Sequence, residues 1–170
     1  MEGWTSLTED EYNVVWDRFE EDFAFRPSVL AADWPSIREP KPSITFRFTY
    51  DEAREDNDYE SWVLARLREA TEPESALYAL NWQHESFWFR PHQATEFEIP
   101  PFPDGDYYIF LTQDFSAGLF GHPWEQTICI FGDCFIDAAR QNLPRLLSTI
   151  HRTSGVDRTL GREQDVDPNA

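Results

Sequence analysis

Residues 43–50 alternate without exception, Ile44, Phe46, Phe48 and Tyr50 against Ser43, Thr45, Arg47 and Thr49. A period of two sends successive side chains to opposite faces of a pleated ribbon, so this stretch predicts a strand with one buried face. A chain that contains it must supply both strand partners and a layer to cover that face.

The first candidate for that layer precedes it. Thr8 and Glu11 fit a capping box, with Leu7 and Tyr12 placed as a hydrophobic staple. Tyr12, Val15, Trp16, Phe19 and Phe23 then recur at helical spacing, while Asp17, Arg18, Glu20, Glu21 and Asp22 fall mostly on the opposite side. This predicts an amphipathic helix with an aromatic core stripe. Pro27, Pro35, Pro40 and Pro42 follow and predict an irregular surface segment pinned by Trp34.

Beyond the strand, the acidic run 51–58 lacks the glycine and the spaced terminal Glu of a calcium loop. It reads instead as the dipole-favoured start of a second helix, in which Tyr59, Trp62, Val63, Arg66, Leu67 and Ala70 recur before Pro73. Residues 76–82 and 87–90 predict a hairpin across the turn 83–86. Asp104-Gly105 launches a strand over 107–111, and Thr127–Phe131, apolar on both faces, predicts a central strand. Asp133 caps an expected final helix through Ile150, with a kink or a restart at Pro144. From Arg152 onward apolar periodicity ends. The expectation is an α+β fold: an antiparallel sheet of about five strands with helices packed on one face, a single domain over 1–151, and a disordered acidic tail over 152–170.

A length of 170 residues suits one domain, and 14 Phe, 6 Tyr and 7 Trp predict an interior built from rings. The net charge is -18, with residues 1–75 holding 19 acids against 8 bases. Phosphate backbones and anionic membranes are repelled, and a basic protein is attracted. The amino end has no basic region followed by an apolar run, so no signal peptide is read and a cytoplasmic location is expected. Cys129 and Cys134 are five positions apart, neither a disulfide framework nor a redox motif, and read as buried thiols.

Chemistry-bearing residues concentrate between residues 104 and 132. His122 with Glu125 suggests a base and an orienting carboxylate, with Asp114 nearby in sequence and His84 assisting, but Ser116 lies outside any nucleophile elbow. His84, His92 and His122 match no zinc spacing, so no metal and no cofactor are assigned. Trp124, His122, Phe120, Trp82, Trp88 and Arg90 fall close to turns and form the expected binding set, since aromatic residues and Arg dominate binding hot spots.

Several longer segments then fit together. Residues 15–20 (VWDRFE), 25–28 (FRPS), Trp34-Pro35-x-Ile37-x-Glu39-Pro40-x-Pro42-Ser43, 81–84 (NWQH), 103–108 (PDGDYY) and 121–126 (GHPWEQ) in combination resemble a bacterial family known only as domain-of-unknown-function family 2716. The resemblance spans about Trp4 to Ile150. It implies a bacterial, cytoplasmic, single-domain protein and brings no catalytic residue with it. The expected function is a non-catalytic protein-binding domain, an immunity-type or regulatory inhibitor of a basic protein. The alternative is a small hydrolase-like enzyme using His122 and Glu125.

Overall fold

The computed structural model describes residues 1–55 and 58–157, without the side chains of Arg54 and Glu55. Asp56 and Asn57 in the acidic run, and residues 158–170 of the expected tail, lie outside the described residues. In chain order the elements are β1 (Trp4–Ser6), α1 (Glu9–Phe23), β2 (Ser43–Arg47), α2 (Tyr50–Glu55), α3 (Tyr59–Ala70), β3 (Leu77–Asn81), β4 (Phe87–Phe89), β5 (Tyr108–Leu111), β6 (Gly118–His122), β7 (Thr127–Phe131), α4 (Asp133–Ala139), β8 (Thr149–Thr153) and β9 (Val156–Asp157). The strands form one sheet in the order β1-β4-β3-β5-β6-β7-β2-β8-β9, and every pairing is antiparallel.

The α+β class with an antiparallel sheet is therefore present, but the sheet has nine strands among the described residues, not about five. The extra strands β1, β6, β8 and β9 carry short or misleading sequence patterns. β1 is only three residues long and ends just before the helix cap. β6 contains Gly118 and Gly121, which weaken any strand pattern in sequence, yet both are required by packing. A Cβ on Gly118 would lie 2.3 Å from the Phe110 carbonyl oxygen, and one on Gly121 would press on the Pro103 ring. The expected final helix stops at Ala139, because Asn142 takes a left-handed φ of 50° and Pro144 opens a separate 3-10 turn, Arg145–Leu147. The β-branched Thr149, Ile150 and Thr153 then form β8, so the expected boundary at residue 151 falls inside a strand.

Period-two alternation builds two cores. On β3, β5 and β7, Leu77, Ala79, Phe110, Ile128 and Ile130 face a cluster completed by α3 and α4, through Val63, Leu67, Phe135 and Ile136. Their neighbours Leu80, Ile109, Leu111, Cys129 and Phe131 face the other way, onto Val15, Trp16, Phe19 and Phe23 of α1. Helices thus cover both faces of the sheet, not one. The start of α1 is fixed by its cap: the Thr8 side chain accepts from Glu11 N at 3.3 Å, and Glu11 Oε2 accepts from Thr8 N at 2.8 Å. Ala24 ends the helix in the left-handed conformation. Phe19 is fully buried at the centre of this stripe, where truncation to Ala costs about 3 to 5 kcal/mol.

β2 meets the alternation only in part: it ends at Arg47, and Tyr50, expected on its buried face, opens α2. Phe46 and Phe48 are buried as expected, but Ser43 and Thr45, read as the solvent face, are buried too. The segment 24–42 crosses the α1 side of the sheet and covers them. This strap, with Trp34-Pro35 and Lys41-Pro42 both cis, is where the candidate site begins.

Candidate functional site

Three strand ends meet at one edge of the molecule. Tyr108 on β5 is registered with Asn81 on β3 and with Gly121 on β6, which brings Trp82, Tyr107 and His122 side by side. Tyr107 is the hub of the rings. Trp82 lies 5.6 Å, His122 4.9 Å and Trp124 5.2 Å from it between centroids, and Trp34 of the strap stands edge-on to His122 at 5.5 Å. Trp34, Trp82 and Trp124 are half-buried, while Tyr107 and His122 beneath them have no exposed surface.

The polar atoms under these rings form a closed chain. Glu125 N donates to His122 Nδ1 at 3.0 Å, so Nδ1 is the acceptor and the proton of the neutral ring sits on Nε2. Nε2 therefore donates to Ser36 Oγ at 3.0 Å, and Ser36 stands 3.0 Å from Tyr107 Oη. Tyr107 Oη donates to Ser28 O at 3.3 Å and accepts from Ser28 N at 3.0 Å. Burial lowers the His122 pKa to about 4, with the charge of Glu125 opposing that shift and Arg152 adding to it. Burial likewise raises Tyr107. The histidine faces Ser36 with its N–H and not with a lone pair, the reverse of what activates a serine nucleophile.

Next to this neutral chain lies an ionic one. Arg152 of β8 holds Glu125 through both carboxylate oxygens, at 2.5 and 2.8 Å, and reaches Glu39 Oε1 with Nε at 2.9 Å. Thr45 donates to Glu39 at 2.8 Å and Thr127 to Glu125 at 2.9 Å. The side chains of Arg152, Glu39 and Glu125 are 9%, 2% and 6% exposed. Burial pushes Glu125 up, but Arg152 and Thr127 overcome this and leave its pKa lowered. Sequence reasoning missed Arg152, Glu39 and Ser36. A cation in an apparent tail and two polar residues among prolines give no periodic signal.

The expected catalytic set is not assembled as base and orienting carboxylate. His122 is met by the backbone of Glu125, whose carboxylate is turned to Arg152. His84 lies in an exposed turn, 3.5 Å from Asp106. Asp114 belongs to the β5–β6 turn, at the far end of β6 from His122, about 3.3 Å per residue away along the strand. Its pKa is lowered to about 2 by bonds from Thr112 and Ser116. His92 bonds to Thr71. Among the described residues no three His, Cys, Asp or Glu side chains come together to hold a metal ion.

The expected binding set divides. Trp82, Trp124 and His122 meet, and Trp34 joins them. Phe120 is buried in the α1 core and presents no surface. Trp88 pairs with Tyr78 at 4.4 Å and donates to Glu11, four residues along the sheet from the Trp82 level, and Arg90 continues β4 by a backbone bond to Gly3. Cys129 is buried, its thiol pushed up to about 12 by burial, whereas Cys134 is exposed and not buried as expected.

Two clefts open nearby. One of about 420 Å³ lies between the end of α1, residues 38–41 and the β5–β6 turn, with charges of both signs. The other, about 310 Å³, is lined by Tyr59, Glu60, Pro100, Phe102 and Asp104. No helix among the described residues is long and apolar enough to cross a membrane.

Fold and site together define a class: a helix-covered, all-antiparallel sheet whose one end carries tryptophans over a closed polar interior. The chain belongs to the DUF2716 family, described as a protein of unknown function, whose profile matches residues 6–136. It is 28% identical over 158 residues to the uncharacterized protein YxiI of Bacillus subtilis (strain 168), an alignment covering 86% of this chain and 98% of that protein. No solved structure matches.

Proposed function

We propose that this chain is a non-catalytic binding domain acting in the cytoplasm, an immunity-type or regulatory inhibitor whose partner is a basic protein. The observation that carries the reading is the grouping of Trp34, Trp82 and Trp124 over one sheet end, each half-buried and held by ring contacts to Tyr107 or His122. Rigid, partly exposed tryptophans are the anchors that dominate protein interfaces. Acidic residues flank them in the same turns: Asp33 beside Trp34, Glu85 after Trp82, Asp104 and Asp106 before Tyr107. The net charge of -18 steers the same partner.

The test is capture from the native host followed by reconstitution with the purified captured protein. A basic protein is expected, bound directly in calorimetry, with affinity falling about 1,000-fold in the Trp82→Ala, Trp124→Ala double variant, as loss of two hot spots of about 2 kcal/mol each would give. A partner that is acidic, or whose binding is unmoved by the double variant, overturns the proposal.

A further inference from the structure

The smaller cleft sits at the same sheet end as the tryptophans but on the opposite face. Asp104 is shared between the two regions. Its Oδ1 accepts from Tyr108 Oη at 3.0 Å, and it also lines the cleft. Tyr50 ties both sides together, donating to Pro103 O at 3.2 Å and to Pro123 O at 2.9 Å.

The lining has a consistent chemistry. Phe102, half-buried, is fixed by Phe48 at 4.6 Å and Tyr50 at 5.9 Å, and Tyr59 meets it edge-on at 6.1 Å. Ala53, Pro100 and the buried Leu146 complete the apolar part. The charged members are Glu60 and Asp104, both exposed at the mouth, and no base is among the described residues that line it. At about 310 Å³ the cleft matches the small end of ligand pockets, about 300 to 1,000 Å³. Ring faces and carboxylates together attract an organic cation.

We infer that this cleft receives an arginine side chain of the basic partner, its guanidinium lying against Phe102 and bonded to Asp104 and Glu60. A planar guanidinium suits the site better than an ammonium, because it stacks on a ring and pairs with a carboxylate through two parallel N–H groups. The assignment rests on the docking reading above and adds the group that gives it specificity.

The probe is N-acetyl-arginine N-methylamide, titrated into the full chain by NMR beside its lysine and citrulline counterparts and agmatine. Saturable shifts at the Tyr59, Glu60, Phe102 and Asp104 amides are expected. Citrulline should bind at least about tenfold more weakly, as should arginine to the Glu60→Gln, Asp104→Asn variant, the scale of one charge-assisted bond. Those two residues are exposed, so the variant keeps its fold, checked by an unchanged spectrum elsewhere. Equal binding of citrulline, shifts mapping elsewhere, or no binding overturns the inference. Agmatine binding at least about tenfold tighter than the capped residue would also overturn it, in favour of a free small cation. Trp82→Ala should leave the arginine probe unaffected. A partner that still docks through Trp82 while the probe fails removes this cleft alone; a probe that binds while docking ignores Trp82 removes the docking surface alone.

Discussion

Two buried polar clusters lie against each other on the α1 side of the sheet and are built on opposite principles. Ser28, Ser36, Tyr107 and His122 form a neutral chain in which each donor finds an acceptor. Arg152, Glu39 and Glu125 form a charged one that joins the strap, the β6–β7 connection and β8. The neutral chain orients the rings that face solvent. The ionic cluster fastens the last long strand to the rest. Removing one partner from a neutral network leaves an unsatisfied dipole, about 1 to 3 kcal/mol, whereas an ionic one leaves a buried unpaired charge, about 3 to 5 kcal/mol, so the two should break differently.

The sharpest break is Arg152→Met. It strands two buried carboxylates and should cost about 3 to 5 kcal/mol in urea unfolding. Adding Glu39→Gln and Glu125→Gln should recover at least half of that loss. If the single variant costs under about 1 kcal/mol, the cluster is not a fastening device.

The second effect is acid sensitivity of the neutral chain. The folded pKa of His122, about 4, is depressed below its ordinary 6.5, so the unfolded chain binds more protons between those values. Stability from this residue is fully present above pH 6.5 and is lost as pH falls toward 4, by about 3 kcal/mol over the window. Glu125, with a lowered pKa, contributes stability above its unfolded value of 4.5 that is lost as pH falls through its folded value. Urea midpoints between pH 7 and 4.5 therefore separate the two, and His122→Gln should flatten most of the slope. His151, its pKa lowered by burial first and then by Arg152 and Arg47, contributes with the same sign.

A smaller loss is expected for Tyr107→Phe, which removes the hydroxyl between Ser28 and Ser36 and keeps the ring. About 1 to 3 kcal/mol follows from donors left without an acceptor. Because the ring still supports Trp82 and Trp124, partner affinity should fall less than tenfold; a larger drop would mean that the hydroxyl itself takes part in docking.

How much of this the sequence revealed depends on whether the governing signal was local. The Thr8–Glu11 cap, the α1 stripe, the end of α3 before Pro73 and the β7 strand are short-range patterns and stand as read, whereas most of the acidic run does not start α3 but contributes to a separate helix, Tyr50–Glu55. β6 was invisible because its two glycines answer to Phe110 and Pro103, which are distant in sequence. β8 spans the sequence-expected helix end at Ile150 and the expected tail from Arg152, and only tertiary pairing with β2 makes it one strand. At the site, His122, Trp124 and Trp82 were chosen from their turns and do come together. Their partners Ser36 and Trp34 arrive on a proline-rich strap whose path no periodicity encodes.

The smallest expected effect is also the most discriminating between the clusters and the proposed docking surface. Raising salt from about 0.05 to about 0.5 M shortens the screening length severalfold, which weakens exposed charge pairs and leaves buried ones nearly untouched. Screening also relieves the repulsion of 18 excess negative charges, but it does so in wild type and Arg152→Met alike. The stability difference between those two chains should thus change by less than about 0.5 kcal/mol across the series. Partner affinity should fall at least tenfold over the same range, mostly through a slower association rate, because Asp104, Glu60 and Glu85 are exposed and act through water. If the two measurements instead move together, the Arg152 cluster is open to solvent in solution, and its separation from the proposed docking face fails.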